Sequence, residues 1–180
     1  NMADNLPDED PKFDQMLETV QEKQKQNNNK IIIFSTFRYT LRYLRGKLEN
    51  AGIRVAQVDG GVKDTMRQQL REQFQLPKED KDAIDILLFT EVGSEGLDYQ
   101  FCDMMINYDL PWNPMRIEQR IGRIDRFGQE SDIVHIYSII VKQSIQEEIY
   151  DRLLSRIGIF ECCIGDLEAI LDSGSIGKDI

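Results

Sequence analysis

Apolar residues recur along the chain in two rhythms. Phe13, Met16, Leu17 and Val20 fall at helical spacing and predict a helix over Lys12 to Lys25, broken by Asn27, Asn28 and Asn29. Ile31–Phe34 is a short run rich in β-branched residues with no polar alternation, the pattern of a strand buried on both faces. Tyr39, Leu41, Tyr43, Leu44 and Leu48 return to the helical period and stop near Gly52, a residue suited to a C-cap. Val55–Val58 reads as a second strand and Asp59-Gly60-Gly61 as a turn. Met66, Leu70 and Phe74 predict the inner face of a helix over Asp64–Gln75. After a charged loop over Pro77–Ala83, Ile84–Phe89 reads as a third strand and Met104–Asn107 as a fourth. Pro114–Ile124 predicts a helix and Ile133–Ile139 a further strand. Ser144 caps a helix running through Leu154, with Glu147 as its capping-box partner.

Strands alternating with helices imply crossover connections, hence an α/β fold with a mostly parallel sheet and helices on both faces. Ligands of such folds sit beyond the carboxyl ends of the strands. The chemistry is therefore sought at Ser35 and Thr36, at Asp59 and Gly60, along Thr90–Asp98, and at Tyr108 and Asp109. One domain is expected over residues 12–156. Residues 1–11, acidic and Pro-containing, read as a disordered lead-in, with a tag remnant before Met2. Residues 157–180 read as a C-terminal extension.

Composition narrows the function classes. A chain of 180 residues, 41% hydrophobic and 30% charged, can bury a single core. No apolar run approaches the roughly 20 residues of a membrane span, and no signal peptide opens the chain, so a cytoplasmic protein is expected. Cys102, Cys162 and Cys163 with a single His do not have zinc-site spacing and read as reduced thiols, Cys102 in or near a core. His135, within an alternating strand, reads as structural. The net charge of −10 opposes nucleic-acid binding by the chain as a whole. One segment runs the other way, with Arg116, Arg120, Arg123 and Arg126 between Met115 and Arg126.

That segment carries the strongest motif, Gln119-Arg120-Ile121-Gly122-Arg123-Ile124-Asp125-Arg126-Phe127-Gly128-Gln129. On a helix Gln119 and Arg123 share a face. Two guanidiniums near one place suit a polyphosphate, because each forks onto two oxygens and stays charged. A solvated basic face paired to Glu118 and Asp125 accounts for the spacing equally well. The segment resembles motif VI of superfamily II helicases, and the flanking Asp109–Pro114 and Phe127-Gly128-Gln129 resemble the Swi/Snf-type ATPases, a group with bacterial members that act on DNA or on transcribing RNA polymerase. Leu88–Asp98 is similar to helicase motif V, and Ile33–Phe37 to motif IV. The resemblance spans Ile31 to Gln129 and, more weakly, reaches Leu154.

The resemblance implies a RecA-like three-layer α/β/α lobe, the second of two in a motor. It implies Arg123 and Arg126 as arginine fingers, and Gly96, Asp98 and Gln119 beside the nucleotide. Ser35, Thr36 and Thr90 are implied to touch the nucleic-acid backbone. Ser35 or Thr36 can equally cap the following helix. Asp59, Gly60, Arg67 and Phe74 match a structural motif. Glu95 departs from the pattern of chromatin-remodelling relatives and reads as a solvated loop residue. Trp112 is expected to pack against the motif V turn. The sequence has neither a Gly-x-x-x-x-Gly-Lys-Ser/Thr phosphate loop nor an acidic Asp-Glu box. ATP with Mg2+ is therefore expected to be held mainly by an N-terminal lobe of the full-length protein, leaving this chain alone inactive. DNA, read as duplex, or RNA is the expected partner, and no membrane. Two other classes stay open: the motor lobe of a restriction or defence-type helicase subunit, and a RecA-like binding module without catalysis.

Overall fold

The computed structural model describes residues 10–91, 98–113, 115–152 and 155. Helix α1 (Pro11–Gln24) opens on Asp10, whose carboxylate accepts the Phe13 amide at 3.1 Å, with Pro11 in the first turn where its missing N–H costs nothing. Strand β1 (Ile31–Phe34) is followed by α2 (Arg38–Asn50), which ends in a turn with Gly52 at φ +80°. β2 (Val55–Val58), α3 (Asp64–Gln75), β3 (Ile86–Phe89), β4 (Met104–Asn107), α4 (Met115–Ile121) and β5 (His135–Ser138) complete the order. A last helical stretch covers 145–152.

All four strand pairings are parallel, in the order β2-β3-β1-β4-β5. β1 lies at the centre, with Ile31 opposite Ile86 and Ile33 opposite Ile106. That position explains its uninterrupted apolar run, since both faces are covered. On one face, Phe13, Met16 and Val20 of α1 and Leu41, Leu44 and Leu48 of α2 pack against Ile31, Ile33, Ile86, Leu88 and Ile106. On the other, Phe74 of α3 joins Phe34, Leu87, Phe89, Tyr99, Phe101 and Ile124. The three-layer α/β/α arrangement expected from the sequence is the one found.

Several elements differ from the sequence reading. α3 keeps its predicted span, but Met66 is 47% exposed and only Phe74 is fully buried, because α3 covers the sheet edge with its C-terminal half. α4 stops at Ile121, and residues 122–124 continue as a turn. β3 starts at Ile86, after Asp85 has turned its side chain to Arg54 and Asn29. The capping box forms one residue off register: Ser144 Oγ accepts the Gln146 amide at 3.2 Å, while Glu147 accepts that of Gln143 at 2.7 Å. Leu154 lies outside the described residues.

Candidate functional site

The parallel sheet delivers the C-terminal ends of β1, β2, β3 and β4 to one edge. At the end of β1, the fully buried Ser35 hydroxyl donates to Asp109 Oδ2 at 2.5 Å and accepts the Phe37 amide at 3.3 Å. Asp109 Oδ1 accepts the Thr36 amide at 2.8 Å. Ser35 thus shapes the turn into α2, and Thr36 is the exposed hydroxyl of the two. At the end of β3, Thr90 is buried, with its amide on Val58 O at 3.4 Å. At the end of β2, Asp59 accepts the Gly61 amide at 2.9 Å and Arg38 Nη2 at 3.0 Å. The Gly61 amide, with Arg38, holds its carboxyl below the ordinary aspartate range against the opposing effect of burial. Asp59 is committed to its own turn, as the sequence reading held.

Arg120 occupies the centre of this edge and is 1% exposed. Its Nε donates to Glu91 Oε1 at 3.0 Å, and Nη2 pairs with the same carboxylate. Nη1 reaches Asn107 Oδ1 at 2.7 Å and Asp109 O at 3.2 Å, and the guanidinium lies 4.9 Å from the Phe34 ring centroid. One side chain therefore joins α4 to the ends of β1, β3 and β4. The solvated basic face paired to Glu118 and Asp125 is not what forms: Arg120 is buried on Glu91, and Arg126 pairs with Asp98.

Beyond α4 the chain folds back along residues 98–102. The Tyr99 amide donates to Arg123 O at 2.9 Å, Gln129 Nε2 to Cys102 O at 3.1 Å, and the Glu130 amide to Gln100 O at 3.1 Å. Arg71 Nε donates to Asp98 O at 2.8 Å. Asp98, Arg123 and Arg126 are thus brought together, and Gln119 is exposed on α4 one turn before Arg123. The half-buried Arg123 guanidinium has no hydrogen bond or ion pair among the described residues. Gly96 and Glu95 lie outside the described residues, as do Cys162 and Cys163.

Three comparisons decide what this arrangement belongs to. The model of the helicase conserved C-terminal domain matches residues 11–128. The chain belongs to the helicase C-terminal domain family. It is 44% identical over 147 residues to an uncharacterized ATP-dependent helicase, YqhH, of Bacillus subtilis, covering 82% of this chain and 25% of that protein. It is 32% identical over 148 residues to the RNA polymerase-associated protein RapA of Vibrio campbellii, covering 81% of this chain and 15% of RapA. Among solved structures, the C-terminal part of the Fun30 ATPase domain matches with a TM-score of 0.69 at 29% identity, covering 78% of this chain and 44% of that one. The chain thus spans a quarter or less of these curated relatives, and the resemblance read from the motifs is the family found.

Within this helicase lobe, sequence reasoning missed Glu91 and misjudged Arg120. Ile117, Ile121 and Ile124 mark the inward stripe of α4 and its following turn, and position 120 lies on that stripe; the signal was present. Trp112 is 74% exposed rather than packed, and Phe127, straight after Arg126, is fully exposed. His135 is exposed on β5. Cys102 is buried in the core as read, its thiol pushed up to about 12 by burial. Among the described residues no three His, Cys, Asp or Glu side chains are grouped to hold a metal ion, and no helix is long and apolar enough to cross a membrane.

Proposed function

We propose that this helicase lobe is the second half of an ATP-driven motor that moves along nucleic acid, with duplex DNA as the favoured track. The carrying observation is the Arg123 guanidinium, half-buried and unengaged among the described residues, two positions beyond a helix fixed to the sheet by Arg120. A cation held ready in a restrained place matches a group that must meet an oxyanion. The donor set fits a polyphosphate: Arg123 and Arg126 offer two forks, and Gln119 an exposed amide, with no carboxylate paired to Arg123 among the described residues.

In this reading ATP and Mg2+ sit on a first lobe of the same full-length protein. Arg123 and Arg126 reach across the cleft and neutralise charge that builds on the transferring phosphoryl group. Asp98 pairs with Arg126 and holds its guanidinium beside the start of the 98–102 segment until the phosphates arrive. Thr36 and Thr90, at neighbouring strand ends, take the sugar-phosphate backbone, a contact blind to sequence as a moving motor requires. Ser35 acts one step behind, holding Asp109 and so the Thr36 amide. Cleft closure shifts these contacts along the track.

The test is ATP hydrolysis by the full-length protein with and without linear duplex DNA, single-stranded DNA and single-stranded RNA. A motor gives turnover that rises with at least one of the three. Turnover indifferent to all of them contradicts the reading.

A further inference from the structure

We propose that Glu91 and Arg120 form a positioning pair that couples the track contacts to the arginines after α4; this rests on the motor reading above. The geometry is convergent. Glu91 directly follows Thr90 at the end of β3, and its carboxylate takes two nitrogens of Arg120. The third nitrogen takes Asp109 O at 3.2 Å, and the carboxylate of the same Asp109 holds the Thr36 amide at 2.8 Å. Both proposed track contacts, Thr90 through Glu91 and Thr36 through Asp109, therefore end on one guanidinium. That guanidinium belongs to α4, three residues before Arg123 and six before Arg126.

Stability alone does not explain the pair. Burying Arg120 and most of Glu91 costs desolvation that apolar residues of equal volume would avoid, so the ion pair is weak evidence of a stabilising role. What a forked pair supplies is a fixed geometry: a planar guanidinium locked to three strand ends cannot slide without carrying α4 with it. A small displacement of Thr90 or Thr36 on nucleic acid is passed as a rigid shift to Arg123 and Arg126. Neither Glu91 nor Arg120 needs to touch ATP or the track.

The test uses the full-length protein, with Glu91→Gln, Arg120→Lys and the double variant. Glu91→Gln keeps the side-chain shape and removes the charge; Arg120→Lys keeps the charge and removes the fork. Turnover is normalised to the fraction of molecules in which this lobe is folded, read from its urea transition, so partial misfolding does not enter kcat. With the nucleic acid that stimulates the wild type at saturation, each single variant should lose about tenfold or more in stimulated kcat, the size of a typical coupling between sites. KM for ATP and Kd for nucleic acid should move far less. The double variant should be no worse than the more affected single one, because both remove the same link. Stimulated kcat at the wild-type level in both single variants overturns the pair, as does a loss matched by equal weakening of nucleic-acid affinity. A wild type indifferent to nucleic acid overturns the motor reading, and the coupling with it.

Discussion

The buried carboxylate of Asp109 accepts the Ser35 hydroxyl at 2.5 Å, joining the ends of the neighbouring strands β1 and β4 across 74 residues of sequence. Ser35→Ala removes that donor and leaves an Asp109 oxygen short of a partner in a site almost closed to water. The loss should be about 1–3 kcal/mol, the desolvation penalty of an unsatisfied buried polar group. Urea denaturation of the lobe should show a lower midpoint with an unchanged slope. A variant as stable as the wild type would show that the hydroxyl is dispensable to the turn.

At the opposite edge of the sheet, Asp85 takes Arg54 through both carboxylate oxygens, at 2.8 and 2.6 Å, and Asn29 at 2.7 Å. Burial pushes the Asp85 carboxyl up, but the hydrogen bonds from Arg54 and Asn29 outweigh it and hold it below the ordinary aspartate range. A carboxylate with a depressed folded-state value contributes stability above its unfolded value, near 3.9, and loses it as pH falls through the folded one. Asp85→Asn should therefore cost about 2 kcal/mol at pH 7. Its gap from the wild type should narrow as pH drops below about 4. Denaturation midpoints of both proteins from pH 7 down to pH 3 check this; a constant gap would mean that the charge of Asp85 is not what is lost.

Legibility in the sequence followed burial only in part: β2, a half-buried edge strand, was read to the residue, and the fully buried β3 was read two residues too long. β1 was read to the residue because both its faces are covered, leaving no polar position to blur the run, and β4 likewise is buried throughout, closing on the buried Asn107. β5, at the sheet edge with alternating exposure, was read too long at both ends. Met66 was misplaced because helical spacing gives the direction of a face but not how far the sheet extends beneath it. The arginine cluster was legible as chemistry and not as geometry. Arg120 and Arg123 look alike in the motif, yet one is sealed by Glu91, 29 residues away, and the other is left half-open. Only the fold brings Glu91 to Arg120, so only the fold separates the structural arginine from the ones available to a ligand.

The lobe by itself carries a net charge of −10 and offers few contacts at its strand ends. Binding of a labelled duplex should accordingly be weak and should fall further with salt, the slope increasing by about 0.9 for each phosphate engaged on duplex DNA. Thr36→Ala and Thr90→Ala should each weaken it without creating a sequence preference. Titrations at low and moderate salt make the measurement. Tight binding that ignores salt, or that selects a sequence, would place the contact elsewhere.

The central claim is that Arg123 and Arg126 act on the transition state of ATP hydrolysis, and its most direct measurement is kcat alongside ATP affinity in the full-length Arg123→Ala, Arg126→Ala and matching Lys variants. Fingers that meet developing charge are worth roughly 10³–10⁵ in rate in phosphoryl-transfer enzymes and much less in ground-state binding. The account predicts turnover lower by orders of magnitude, ATP binding within a few-fold of the wild type, and little rescue by Lys, which lacks the fork. Normal hydrolysis by both alanine variants would contradict it and return these two arginines to the role of surface charges beside Asp98.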